Sequence, residues 1–241
     1  MKLPQQDLID RLRQICREDA RLEAAMLYGS FAQGEADLFS DIDTVLFFAD
    51  ASLESVDQRA WIAQIAPVAL YYHNAHGIGV AIFESLVRAE FHFYPAEKIP
   101  IVETWKGAGR YASLESSLLV DKTGRLTRHL QALIAPLEPH DNAAAVRYLC
   151  GDWLNWCLYG TNVLARGELA RALEILTVIH RILLQMARLS EGAPERWVSP
   201  TRALEQELSP QAYRRYQTCT APLEGRALWS AYTAAWTWGI E

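Results

Sequence analysis

Residues 28–48 read YGSFAQGEADLFSDIDTVLFF. The stretch opens on a Gly29-Ser30 turn and closes on Asp41 and Asp43, one residue apart, running into the β-branched and aromatic run Asp43–Phe48. It is not a P-loop. Gly29 and Gly34 have the required gap, but the next residue is Glu35, an anion where a phosphate-binding lysine would stand. On a strand, residues i and i+2 share a face, so Asp41 and Asp43 project together, roughly 6.5–7 Å apart at Cα. Carboxylates so placed suit a pair of hard divalent cations about 3.5–4 Å apart, with magnesium the natural choice. Backbone N–H groups after Gly29 favour an anion, and glycine lets the main chain approach it closely. From Tyr28 to Ala60 there are seven acids and one base, Arg59, so a polyphosphate approaches this segment only with cations. The pattern therefore suits a triphosphate held at one end and metal at the other.

Outward from this stretch, Leu8, Ile9, Leu12 and Ile15 fall at helical spacing and predict a helix over 4–19. Strands are predicted at 24–28, 43–48, 68–73, 79–83, 88–95 and 117–124, and a helix over 53–65. In RAEFHFYP (88–95) the residues Ala89, Phe91 and Phe93 share one face, and Glu90 and His92 the other. Glu90 is thus the third carboxylate on the open face, suited to deprotonating a hydroxyl or binding metal. After Leu126 strand signals stop and long helical patterns take over at 142–164 and 169–189. APLEPHD (135–141), with two prolines, is the boundary. The expected architecture is α+β: an N-terminal mixed-sheet domain, 1–135, and a C-terminal α-helical bundle, 136–241.

Composition narrows the class. A net charge of −6 with no basic stripe argues against nucleic acid as a partner. No run of about 18 uncharged apolar residues is present, so no membrane span is expected. The N-terminus lacks the apolar run of a secretory signal, and the four scattered cysteines read as reduced thiols of a cytoplasmic protein.

The combination GS-x10-D-x-D resembles the DNA polymerase β-like nucleotidyltransferase superfamily, and within it the two-domain lincosamide nucleotidyltransferases. FESLVRAEFHF (83–93), SLESSLLVDKTGRLTRHL (113–130), NVLARGELARALEIL (162–176) and ALWSAYTAAWTWG (227–239) look like the same group. The resemblance implies a metal-dependent enzyme using two Mg²⁺ ions and ATP or another NTP. It would adenylylate a hydroxyl of lincomycin or clindamycin and release pyrophosphate, and homodimers are common among such proteins. It implies that Gly29 and Ser30 take the nucleotide phosphates, that Asp41 and Asp43 bind metal, and that Glu90 is ligand or base. His92 would touch the drug. The rival readings are the same transfer to an aminoglycoside hydroxyl and a non-catalytic, antitoxin-like module of the same fold.

Other residues divide between chemistry and packing. Lys122 and Arg125, in the turn DKTGR, and Arg88 are candidate phosphate partners, Lys122 foremost; solvated surface charge is the plain alternative. Trp153 and Tyr159, with Trp156 and Cys157, have the spacing of one helix face and are candidates for an aromatic acceptor wall; core packing is the alternative. Trp229, Tyr232, Trp236 and Trp238 read as packing or a dimer contact. His180, in VIHRILL, reads as a hydrogen-bonded core histidine, and His73 and His76 lack further zinc ligands.

Overall fold

The computed structural model describes residues 2–107, 111–135 and 142–241. The chain divides into two compact units, Met1–Leu137 and Glu138–Glu241. The proline-rich segment expected to join them lies, beyond Ala135, outside the described residues.

In the first unit, helix α1 (Pro4–Glu18) starts on a proline, whose missing N–H is harmless in a first turn, and buries Ile9, Leu12, Ile15 and Cys16. Strand β1 (Leu22–Tyr28), the single turn α2 (Gly29–Gln33) and strand β2 (Ile42–Phe48) follow. The helix expected over 53–65 is instead a 3-10 turn at Leu53–Ser55 and a separate helix α3 (Gln58–Ala63). The break has a local cause: Asp57 is the N-cap of α3, with extended backbone, and its carboxylate accepts from the Ala60 N–H at 3.0 Å. Strands β3 (Val68–His73), β4 (Gly79–Phe83) and β5 (Arg88–Pro95) form a meander. A 3-10 stretch, Ala96–Trp105, then precedes α4 (Leu114–Ser117), β6 (Leu118–Asp121) and α5 (Arg125–Ile134).

The six strands make one mixed sheet in the order β3-β4-β5-β2-β1-β6. β2 and β5 run parallel, while the other neighbours are antiparallel. Strand alternation sends Ala25, Leu27, Ile42, Leu46, Ala89 and Phe91 to one face, against α1 and α3. Ala24, Met26, Val45 and Phe47 go to the other, against the 3-10 stretch and α5. That second face carries Tyr28, Asp43, Glu90 and His92 at its end.

The second unit is helical: α6 (Asn142–Ala165), α7 (Leu169–Ser190), α8 (Leu204–Glu207), α9 (Pro210–Thr218) and α10 (Gly225–Ile240). α6, α7 and α10 share a core that includes Trp153, Leu176, Ile179 and Tyr232. Gly160 admits the Tyr232 ring, which a Cβ there would strike, and the Tyr232 hydroxyl donates to the Ala172 carbonyl at 2.7 Å. The protein is α+β, with a mixed sheet in one unit and helices in the other. Among the described residues no helix is long and apolar enough to cross a membrane.

Candidate active site

The site grows out of strand register. Antiparallel pairing sets Tyr28 opposite Asp43, and parallel pairing sets Asp43 beside Glu90. The three side chains therefore form a row across β1, β2 and β5, about 4.8 Å between neighbouring strands. Asp41 lies two residues before Asp43 on the same face. Arg88, two residues before Glu90, forks between the acids: one Nη donates to Asp41 and the other to Glu90. The second Glu90 oxygen accepts from the Tyr28 hydroxyl at 3.2 Å. Burial first, and then the charges of Asp43 and Glu90, push the Tyr28 phenol far above its ordinary pKa, so it stays a donor.

Gly29 adopts φ +66°, in the left-handed region, and a Cβ there would overlap Asp43 Oδ2. Only glycine lets the turn and the carboxylate pack this closely. The buried Ser30 hydroxyl has no hydrogen-bond partner among the described residues. Since α2 is a single turn, anion binding here would rest on that hydroxyl and the local N–H groups rather than on a macrodipole.

The donor set fits a hard divalent cation. It is all carboxylate oxygen, it shares one face, and its closest member sits against a glycine cradle. As the side chains stand, no three His, Cys, Asp or Glu among the described residues converge on one point. Arg88 instead bridges Asp41 and Glu90.

Residues 10–73 match the family model for the polymerase β nucleotidyltransferase domain, and residues 142–241 match the model for the lincosamide nucleotidyltransferase-like C-terminal domain. The chain is a nucleotidyltransferase that joins these two domains. A comparison with curated proteins found no match. Two solved structures resemble this nucleotidyltransferase distantly. One is an aminoglycoside 6-adenyltransferase from Bacillus subtilis, at 14% identity and TM-score 0.37, covering 97% of this chain and 85% of that one. The other is a nucleotidyltransferase-like protein from Exiguobacterium sibiricum, at 14% identity and TM-score 0.47, covering 97% and 74%.

Of the residues singled out from sequence, Gly29, Ser30, Asp41, Asp43 and Glu90 come together at one end of the nucleotidyltransferase sheet. Lys122 does not. β6 runs antiparallel to β1, so Lys122 pairs its N–H with the Glu23 carbonyl at 3.0 Å, at the far end of β1 from Tyr28. Five residues of strand, about 17 Å, separate the two ends. Its ammonium donates to the Asp19 carbonyl at 2.7 Å, and Arg125 pairs with Glu23 at 3.0 Å. Both are corrected to structural roles.

His92 lies on the expected face, but both ring nitrogens meet tyrosine hydroxyls, Tyr28 at 2.9 Å and Tyr94 at 3.1 Å. Burial, opposed by Glu90, lowers its pKa and favours the neutral ring. Its ring atoms thus serve an internal network rather than an open acceptor surface. Trp153 is also corrected: it is 4% exposed in the core of the second unit, its ring stacked on Trp236 at 4.8 Å. Tyr159 sits at the surface of that unit, its hydroxyl bonded to Arg171.

Sequence reasoning passed over Tyr28, Tyr94 and Trp105, whose ring lies 6.4 Å from that of Tyr28. Tyr28 could have been found, since it immediately precedes Gly29 and ends the strand beside Asp43. Trp105 could not, because the 3-10 stretch carrying it has no periodic signal.

Proposed function

We propose that the protein transfers a nucleoside monophosphate, AMP in the first instance, from an NTP to a hydroxyl of a lincosamide antibiotic, releasing pyrophosphate in the cytoplasm. The observation that carries the chemistry is the Tyr28–Asp43–Glu90 row with Asp41 on the same face and the Gly29–Ser30 turn against it. The C-terminal match to the lincosamide-type domain supports the acceptor class.

In this reading Asp41, Asp43 and Glu90 would hold two magnesium ions. Bound magnesium would neutralise charge on the reacting phosphoryl group and the leaving pyrophosphate. Ser30 Oγ and the N–H groups after Gly29 hold the polyphosphate. Glu90 accepts the proton of the attacking hydroxyl at a carboxylate oxygen. Tyr28 holds Glu90 in orientation through its other oxygen, and His92 and Tyr94 brace Tyr28. The exposed apolar side chains Leu154, Leu158, Trp229 and Trp236 on α6 and α10 suit a homodimer of the same enzyme.

Purified protein with ATP, Mg²⁺ and clindamycin should yield a drug–AMP adduct by mass spectrometry. Asp41→Asn should reduce its rate by on the order of 10³-fold, the scale of losing a principal electrostatic contact. An undiminished rate in Asp41→Asn refutes the site. An adduct on an aminoglycoside, and none on clindamycin, overturns the acceptor class while leaving the chemistry intact.

A further inference from the structure

We propose that Arg88 is a built-in counter-cation of the metal site, which metal binding displaces toward the nucleotide's phosphates, so that metal and nucleotide bind cooperatively. The inference rests on the site reading above and extends it to Arg88, which the proposed function leaves without a part.

Asp43 and Glu90 are direct neighbours across parallel strands, with Asp41 next along the same face. Like charges placed this closely repel unless a cation intervenes. Arg88 supplies that cation, with one guanidinium nitrogen on Asp41 and the other on Glu90. A guanidinium stays protonated in proteins, so Arg88 is a cation throughout the working range. A guanidinium held on Asp41 Oδ2 and Glu90 Oε1 competes with a divalent ion for those oxygens, because magnesium requires its ligand oxygens at about 2.0–2.1 Å from a single point. Metal that takes those oxygens enters as Arg88 leaves.

Departure is sterically open. Arg88 is the first residue of β5, and its side chain is 44% exposed. The place it leaves is bounded by Asp41 and Glu90, and Asp43, the strand neighbour of Glu90, is the residue packed on Gly29 of the turn where the polyphosphate is proposed to sit. Guanidinium binds phosphate oxygens with the same fork geometry it uses on carboxylates, so the exchange replaces one set of charge-assisted bonds with another. Metal arriving alone loses the Arg88 contacts without replacement, whereas metal arriving with a nucleotide supplies the new partner. The two ligands thereby favour one another, and the coupling is reciprocal.

The test is a Mn²⁺ titration followed by electron paramagnetic resonance, on the full chain, with and without α,β-methylene-ATP. Wild type should bind Mn²⁺ weakly alone and more tightly with the analogue. Arg88→Gln should bind Mn²⁺ alone about fivefold tighter, the scale of losing one competing ion-pair arrangement, and should show less tightening by the analogue. Arg88→Lys, which keeps the charge and loses the fork, should fall between them. Equal or weaker Mn²⁺ binding by Arg88→Gln overturns the proposal. Asp41→Asn separates the two readings. If Asp41→Asn loses Mn²⁺ while Arg88→Gln is unchanged, only the role of Arg88 falls; if Asp41→Asn binds as wild type does, the metal site itself falls.

Discussion

In the first unit, three acids and an arginine meet at the open end of a sheet, bonded mainly to one another. In the second, the buried ionisable groups Arg188 and His180 are tied mainly to backbone. Arg188 is fully buried, and its guanidinium donates to the carbonyls of Pro200 at 2.9 Å and Arg202 at 2.6 Å and to Glu207 at 2.9 Å. His180, also buried, meets the Cys219 carbonyl at 2.7 Å. Burial and perturbed acidity occur in both units, so neither marks a functional site alone. What distinguishes the first unit is that its charged partners are other acids on adjacent strands, brought together by register. The second unit's polar groups satisfy loop carbonyls, which a helical core needs in order to fix its connections.

That contrast is most exposed at Gly29. Gly29→Ala places a methyl group on Asp43 Oδ2 and forces alanine into the left-handed region. Nucleotidyl transfer should fall at least about 10²-fold, the scale of displacing a catalytic group by an ångström. Stability should fall by about 1–2 kcal/mol. Steady-state kinetics beside a thermal melt separates the two losses. A variant with full activity would mean that the approach of Asp43 to the turn does no catalytic work.

Arg188 gives the opposite signature. Arg188→Met removes the donor to two carbonyls and one carboxylate while Glu207 keeps its bond to Arg196 at 2.8 Å. The expected loss is about 3 kcal/mol of stability in the second unit, read by denaturant unfolding. Metal binding by the first unit should not change. A loss of Mn²⁺ affinity in a folded Arg188→Met protein would break the division between structural and chemical charge.

The legible parts of this division were those set by local pattern. The alternation in 88–95 puts Glu90 on the open face, and the i, i+2 spacing of Asp41 and Asp43 puts those two on one face of their own strand. The partnership of Asp43 with Glu90 needs the order of strands in the sheet, which no local pattern carries. The same gap misplaces Lys122: its turn is readable, but which end of β1 that turn reaches depends on β6 pairing antiparallel to β1. Trp153 and Trp156 show that i, i+3 spacing identifies a helix face without saying what covers it. The helix read over 53–65 missed that Asp57 serves better as a cap than as an interior residue.

A smaller effect tests whether Tyr28 belongs to the site or merely to the sheet. Tyr28→Phe keeps the ring against His92 and Trp105 and deletes the hydroxyl bonded to Glu90. Losing one hydrogen bond to a charged group should lower kcat about tenfold with KM little changed. A shift in KM alone would assign Tyr28 to ground-state binding instead.

The smallest effect concerns His180. Burial, opposed by the Cys219 carbonyl, lowers its pKa in the folded protein. The unfolded chain therefore takes up the proton first as pH falls below the ordinary histidine value of about 6.5. In that window the unfolded state binds more protons, so stability rises with pH and is lost as pH falls toward the folded pKa. His92, in the first unit, shifts in the same direction, so a melt of the whole chain would mix the two. Fluorescence separates them: six of the eight tryptophans (153, 156, 197, 229, 236 and 238) lie in the second unit. Melts followed by tryptophan emission between pH 7.5 and 5.5 should show a decline in the wild type that His180→Gln flattens. Equal slopes would mean that the native pocket admits the proton as readily as water does, and that this histidine is less sealed than its 8% exposure implies.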